Sequence, residues 1–316
     1  MILSASRRTD IPNYYSEWFM NRIREGFLYV RNPLNNHQVS KINLSPELVD
    51  CIVFWTKNPL PMLNKLDDLR DYPYYFQFTL TGYGKDLEPN LPDKREKMIG
   101  IFRDLSLKTG KERVIWRYDP IIVTKRYTAE YHLRAFRTIA EALRGYTDKA
   151  VVSFVDLYAK TKKNMQGIPV IPFEQYGLEE FASELARIAG ANGMEIAACA
   201  ESMDLSACGI KRNSCIDKQL IERLIGCKIS AQKDRNQRDE CGCIESVEIG
   251  AYNTCRNGCR YCYANYSSGR VMETYGQYDP KSPILCGSIS DQDRITERKL
   301  KSLKIEQMNI WDVYGS

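Results

Sequence analysis

Six short runs rich in Val, Ile, Phe, Tyr or Trp recur along the chain, separated by stretches with helical apolar spacing, and no other feature narrows the possible folds as far. The runs fall near Met1 to Ser6, Cys51 to Thr56, Tyr74 to Leu80, Arg113 to Tyr118, Ala150 to Val155 and Glu195 to Ala200, and each is expected to be a strand. Helices are expected over Tyr15 to Glu25, Pro61 to Leu69, Asp93 to Lys108, Thr128 to Leu143 and Phe173 to Asn192, the last stopped by Gly193. Successive runs lie roughly 20 to 50 residues apart, as a right-handed parallel βαβ crossover requires. Repetition of that unit predicts an α/β fold of the TIM-like (β/α) barrel type, partial or closed. A chain of 316 residues is long enough for one such barrel with an extension.

Bulk properties exclude several classes. Hydrophobic residues make up 43% and charged residues 27%, a globular composition, and no apolar stretch is long enough to cross a bilayer, so no membrane association is expected. The net charge of +5 comes from 45 basic and 40 acidic residues, too small an excess to argue nucleic-acid binding by itself. A basic stretch around Arg294, Arg298, Lys299, Lys301 and Lys304 reads as a solvated helix face. Only two histidines, His37 and His132, are present, which leaves little room for histidine-based chemistry. The 11 cysteines are an odd number and no secretion signal precedes them, so reduced thiols in a cytoplasmic protein are expected rather than a disulfide knot.

Polar residues gather where the runs end. The first run leads into Ser4, Ser6, Arg7, Arg8, Thr9 and Asp10, the second into Trp55, Thr56, Lys57, Asn58 and Pro59, and the third into Thr79, Thr81 and Tyr83. The fourth ends in Arg117-Tyr118-Asp119-Pro120, the fifth brings Ser153 and Asp156, and the sixth brings Cys199, Glu201 and Ser202. Any one of these reads equally well as a turn former. In a parallel barrel, however, all strand ends open on one face, so the groups are expected to share a pocket. Arg7, Arg8, Lys57 and Arg117 would then form a cationic mouth suited to carboxylate or phosphate, with Asp10, Asp119 and Glu201 orienting those bases or accepting protons.

Near the end of the chain Cys255, Cys259 and Cys262 form a C-x3-C-x2-C triplet, with Tyr261 and Tyr263 beside its last cysteine and Asn253 just before it. Ser246 to Asn253 alternates like a strand leading into this loop, and Tyr263 to Tyr275 is expected to begin a helix. Three thiolates on one loop suit a 4Fe-4S cluster with one iron left open, whereas structural zinc normally takes four ligands. A zinc knuckle completed by Cys241 or Cys243, and a closed electron-transfer cluster with a fourth cysteine, remain alternatives. Cys199, Cys215, Cys241 and Cys243 supply a second possible centre, an auxiliary iron-sulfur cluster or a zinc ion, or else are buried spectators. Cys51, Cys208, Cys227 and Cys286 read as packing residues, with Cys286 a reserve ligand. The organisation expected is a barrel over 1–230 and a cysteine-rich iron-sulfur segment over 231–316, packed on the barrel mouth.

The triplet, with an aromatic residue before its last cysteine, resembles the radical S-adenosylmethionine (SAM) signature. That resemblance implies that the open iron holds SAM, that Asn253, Tyr261 and Tyr263 contact the cofactors, and that the triplet loop follows the first strand of a partial barrel. Here the triplet comes last, as in a circular permutation of that barrel or a seventh unit closing it. The whole chain resembles the uncharacterised family DUF1848, through Ser6-Arg7-Arg8-Thr9-Asp10-Ile11-Pro12, Phe54-Trp55-Thr56-Lys57-Asn58-Pro59, Trp116-Arg117-Tyr118-Asp119-Pro120, Cys199-Ala200-Glu201 and Cys241-Gly242-Cys243. The function expected is a radical SAM-like enzyme acting on an anionic, nucleotide-like small molecule, with electrons from a donor such as ferredoxin or flavodoxin. Two alternatives stay open: an electron-transfer or Lewis-acid iron-sulfur protein without SAM, and a zinc-stabilised nucleic-acid-binding protein.

Overall fold

Eleven strands and nine α-helices occur among the described residues of the computed structural model, which are 1–155, 159–172 and 177–305. The strands are β1 (Ile2–Ala5), β2 (Phe27–Asn32), β3 (Asn35–Asn43), β4 (Cys51–Thr56), β5 (Tyr74–Thr79), β6 (Val114–Ile121), β7 (Lys149–Phe154), β8 (Glu195–Ala198), β9 (Lys211–Arg212), β10 (Val247–Glu248) and β11 (Arg294–Glu297). The helices are α1 (Ile11–Tyr14), α2 (Ser16–Glu25), α3 (Leu60–Leu63), α4 (Ile99–Thr109), α5 (Ala129–Leu143), α6 (Ala159–Asn164), α7 (Leu178–Ala191), α8 (Lys218–Ile225) and α9 (Ser268–Tyr275). Eight strands form one sheet in the order β10-β1-β4-β5-β6-β7-β8-β9, with every neighbouring pair parallel. A separate three-stranded sheet joins the β2-β3 hairpin to β11.

Near-continuous apolar runs make both faces of the large sheet buriable, which is why it is parallel and covered on both sides. On one face Leu3, Ile52, Phe54, Phe76, Phe78, Trp116 and Val152 share a core with Phe19 of α2, Phe102 of α4, Phe136 of α5 and Phe181 of α7. Trp116 and Phe136 stack with centroids 4.6 Å apart. The alternate residues Ile2, Cys51, Val53, Tyr75, Ile115 and Val151 face the other way, where Leu220 and Ile221 of α8 cover them together with Cys215, Cys241 and Cys243. Thr128 caps α5 by accepting from the Tyr131 amide, and Gly26, at φ 76°, ends α2 in the left-handed region.

The sheet does not close, so the expected barrel is corrected to an open sheet with β10 and β9 at its edges. Both edge strands are two residues long, too short to build a closing ladder. Across that seam run local contacts in place of a ladder, among them Ser214 Oγ to the Gly242 carbonyl at 2.8 Å and the Ile244 amide to the Ile216 carbonyl at 3.2 Å. The expected strand over Ser246 to Asn253 shrinks to β10, and the chain turns at Tyr252 and Asn253, where Asn253 has φ 58°. Pro61 to Leu69 is broken into α3 and a 3-10 turn, and Asp93 to Lys108 begins as a π-type turn before α4. The expected start of a helix at Phe173 lies outside the described residues, and α7 follows after Gly177. The basic stretch from Arg294 is an exposed strand against β3, not a helix face. No helix of the described residues is long and apolar enough to cross a membrane.

Candidate thiol-rich site at the carboxyl edge of the sheet

Parallel strands bring all their carboxyl ends to one edge, the place where open α/β sheets bind ligands. The triplet loop is tied down there by the first two turns of the chain. Tyr15 donates its hydroxyl to the Thr254 carbonyl at 2.7 Å, Tyr14 and Asn13 donate to Asn257 Oδ1 at 3.0 and 3.1 Å, and Asn257 Nδ2 donates to Asp10 Oδ2 at 3.0 Å. Asp10 is buried and also accepts from Thr56 Oγ1, the Lys57 amide and the Asn13 amide at 2.7, 2.8 and 3.1 Å. It therefore joins the exits of β1 and β4 to the cysteine loop, and burial raises its carboxyl above the usual range despite these hydrogen bonds. Asn253 stands at φ 58°, and its side chain accepts from the Tyr266 amide at 2.7 Å, bracing the loop from behind. Burial pushes the thiols of Cys255 and Cys262 up and that of Cys259 to about 12.

A buried ionic hub lies beside this loop. Glu88 is buried between Lys57, whose Nζ stands 2.8 Å from Oε1, and Lys94, which is hydrogen-bonded to Oε2. Tyr261 donates to Glu88 and accepts from Lys57 Nζ at 2.9 Å, so its hydroxyl belongs to the hub while its ring packs 5.8 Å from that of Tyr83. Burial alone would raise Glu88, but the two ammonium groups outweigh it and hold the carboxyl at about 2. For Lys57 burial opposes the charge, yet Glu88 and Cys259 leave its pKa raised. Lys57 and Asp119 are close enough to act on each other electrostatically.

Two of the four cations of the expected mouth, Lys57 and Arg117, are paired with carboxylates within the protein. Arg117 is buried, donates from Nε to Asp119 Oδ2 at 2.9 Å and from Nη1 to Gln77 Oε1 at 3.2 Å, and Asp119 also accepts from Ser153. Burial would raise Asp119, but Arg117 and Ser153 pull it below the usual carboxylate range. Glu201 accepts from the Phe154 amide at 2.8 Å and so tethers the loop after β8 to the end of β7. Arg7 and Arg8 make no carboxylate ion pair among the described residues. Arg7 lies over Trp55 at 5.0 Å and Arg8 over Tyr252 at 4.7 Å, while the buried Nη2 of Arg7 has no partner. Tyr263 donates to the Arg7 carbonyl at 2.7 Å and keeps its ring half-exposed. Asp156, expected in this group, lies outside the described residues.

Four further cysteines meet at the seam between the sheet edges. Cys199 and Cys215 have sulfurs 3.2 Å apart, Cys215 interacts in turn with Cys243, and Cys243 with Cys241. Arg117 Nη1 stands 2.8 Å from Cys215 Sγ. Among the described residues no three His, Cys, Asp or Glu side chains are already spaced around a point that would hold a metal ion. A cavity of about 240 Å³ borders the hub beside Thr81, Glu88 and Lys94, and one of about 500 Å³ at the amino ends of β7 and β8, near Lys149 and Glu195, reaches Ser214 and Gly242 at the seam. His132 is a core residue, its ring held by Tyr118 and the Ile122 carbonyl and its pKa lowered to about 4 by burial. Cys286 sits behind the loop, 3.9 Å from the Tyr15 hydroxyl, and Cys51 lines the sheet. Sequence reasoning missed Glu88 and Asn257, loop residues whose burial no local pattern announces, and Lys94, which opens the π-type turn before α4.

Gly250 is where the loop after β10 touches the exit of β1. A Cβ there would stand 1.8 Å from Ser6 Oγ and 2.5 Å from Ser6 Cβ, and Ser6 is itself buried. Gly250→Ala is expected to destabilise the fold by roughly 1–3 kcal/mol through overpacking. The check is a lowered urea midpoint, with Gly269→Ala, which meets open space, unchanged.

These observations define a parallel α/β protein with a cysteine-rich loop seated at the carboxyl edge of its sheet. The domain of unknown function DUF1848 matches residues 2–264, a span that takes in both the sheet and the triplet, and the chain belongs to that family. No curated protein and no solved structure matches it.

Proposed function

We propose that the chain is a radical SAM-like iron-sulfur enzyme acting on a small anionic, nucleotide-like substrate, with Cys255, Cys259 and Cys262 as the protein ligands of a 4Fe-4S cluster. The observation that carries this reading is the spatial order of the strands. β10 lies at the edge beside β1, so the triplet loop, last in sequence, leaves the first strand of the sheet in space. That is the position the radical SAM resemblance implies for such a loop. The donor set fits as well: three cysteines on one braced loop provide three sulfurs and leave one coordination site for a small molecule. When bound, such a cluster supplies a site at which SAM is held and reductively cleaved.

The protein's part is placement, charge balance and exclusion of water. Lys57 keeps a positive charge beside Cys259 and offsets the negative charge of thiolates there. Tyr261 is fixed by Lys57 and Glu88, which holds the last turn of the loop in one orientation. Arg7 and Arg8, which make no carboxylate ion pair among the described residues, are cations open to an anionic substrate, and the half-exposed ring of Tyr263 lies beside Arg7. An external one-electron donor such as ferredoxin or flavodoxin completes the scheme.

Anaerobically reconstituted protein given dithionite and SAM is expected to release methionine and 5'-deoxyadenosine even without substrate. If iron is bound but SAM is neither consumed nor alters the electron paramagnetic resonance signal, the reading fails and an electron-transfer or Lewis-acid role replaces it. Zinc in the triplet without iron would instead support the nucleic-acid-binding alternative.

A further inference from the structure

We propose that Cys199, Cys215, Cys241 and Cys243 hold a single thiophilic metal ion, zinc, which staples together the two open edges of the large sheet. The inference is independent of any cluster on the triplet. Two of the four sulfurs come from each side of the seam. Cys199 and Cys215 flank β9, and Cys241 and Cys243 lead into β10, so the ion would stand where a closing ladder is missing. The two sides already meet there, through the Ser214 hydroxyl donating to the Gly242 carbonyl and the Ile244 amide donating to the Ile216 carbonyl.

Three features of the cluster point to a metal rather than to packing. The first is proximity: the sulfurs of Cys199 and Cys215 stand 3.2 Å apart, and Cys241 and Cys243 pack into the same buried cluster. Among the described residues the side chains do not yet surround one point, so taking up a metal would require the thiols to turn inward. Around one tetrahedral zinc with zinc–sulfur bonds of about 2.3 Å, neighbouring sulfurs lie about 3.8 Å apart, close to the spacing of the first pair. A polynuclear cluster would spread them over several irons and much farther apart.

The second feature is the coat of N–H donors. Cys215 accepts from Arg117 Nη1 at 2.8 Å and Asn213 Nδ2 at 3.3 Å, and Cys243 accepts from the Ile216 amide at 3.3 Å, with the Arg7 guanidinium near enough to act on it electrostatically. Neutral thiols are weak acceptors, whereas metal thiolates gain from such donors as the outer shell of a metal site. The third is charge. When one zinc ion replaces four S–H protons, which leave to solvent, the site changes from neutral to a net charge of minus two. Arg7, with its buried Nη2 unpartnered, and Arg117 stand against the sulfurs to meet that charge.

The test removes the other centre first. In a Cys255→Ala, Cys259→Ala, Cys262→Ala variant grown with zinc, metal analysis is expected to find about one zinc per chain, the content of a single four-sulfur site. Adding Cys243→Ser to that background is expected to lower zinc at least tenfold. Retention of zinc without Cys243, absence of zinc in the triple variant, or iron with sulfide in it would each overturn the proposal. If that variant does not fold, zinc-edge X-ray absorption of the wild-type protein decides. Four sulfur neighbours at about 2.3 Å are expected, and nitrogen or oxygen ligands, or no zinc, would overturn it.

Discussion

Glu88→Gln is expected to lower the stability of the fold by roughly 3–5 kcal/mol, the usual consequence of removing one member of a buried ionic group and leaving its partners charged. Lys57 and Lys94 both lean on this one carboxylate, and Lys57 and Tyr261 connect it to the cysteine loop. Without it, two ammonium groups share a buried pocket with no anion. The loss is read as a fall in the urea midpoint, and an unchanged midpoint would show the hub to be solvated.

The same group gives a pH signature. Its folded pKa of about 2 lies below its ordinary value of 4.5, so the native state binds fewer protons than the unfolded chain between those values. Its contribution is therefore fully present above about pH 4.5 and drains away as the pH falls toward about 2. Wild type is expected to lose stability over that acid window faster than Glu88→Gln does, and parallel curves would sink the assignment.

Cys259→Ala is expected to remove essentially all cluster iron and sulfide from anaerobically reconstituted protein, together with its brown colour. Three sulfurs already leave a cubane with one open iron, and two do not hold it. Cys227→Ala, a cysteine away from both thiol groups, is the control and is expected to keep full iron content. Iron retained in Cys259→Ala would show that the triplet is not the ligand set. Because Cys259 contributes to the raised pKa of Lys57, the variant also tests whether that lysine depends on the loop.

The strands of the sheet were legible because each is a long enough apolar run to declare itself. Cys51 to Thr56 is β4 as expected, and the other five expected strands differ from β1, β5, β6, β7 and β8 only at their ends. The hairpin of β2 and β3 was not legible, since Asn35 to Gln38 is exposed and polar and carries no apolar alternation. Neither was the open edge, because β9 and β10 are too short for any periodicity. At the site, the clustering of strand-end residues was foreseeable from topology. Their mutual neutralisation was not, because Glu88, which is paired with Lys57, sits in a loop where a carboxylate ordinarily meets water. The grouping of Cys199, Cys215, Cys241 and Cys243 followed from the same topology, although only coordinates set the sulfurs of Cys199 and Cys215 in contact.

Pairing of the last strand of the sheet with the first has a consequence for how the protein is made. Ser4 and Glu248 are bonded across 244 positions of chain, and at ordinary translation speeds the delay between them is on the order of 10–50 s. Throughout that interval the outer edge of β1 carries unpaired amides and carbonyls, the kind of edge that recruits stray strands. The ribosome must therefore deliver nearly the whole sheet before its first strand is covered. The thiols of the triplet arrive with the segment that covers it, so insertion of the proposed cluster would be a closing event in maturation, dependent on protection of the nascent β1.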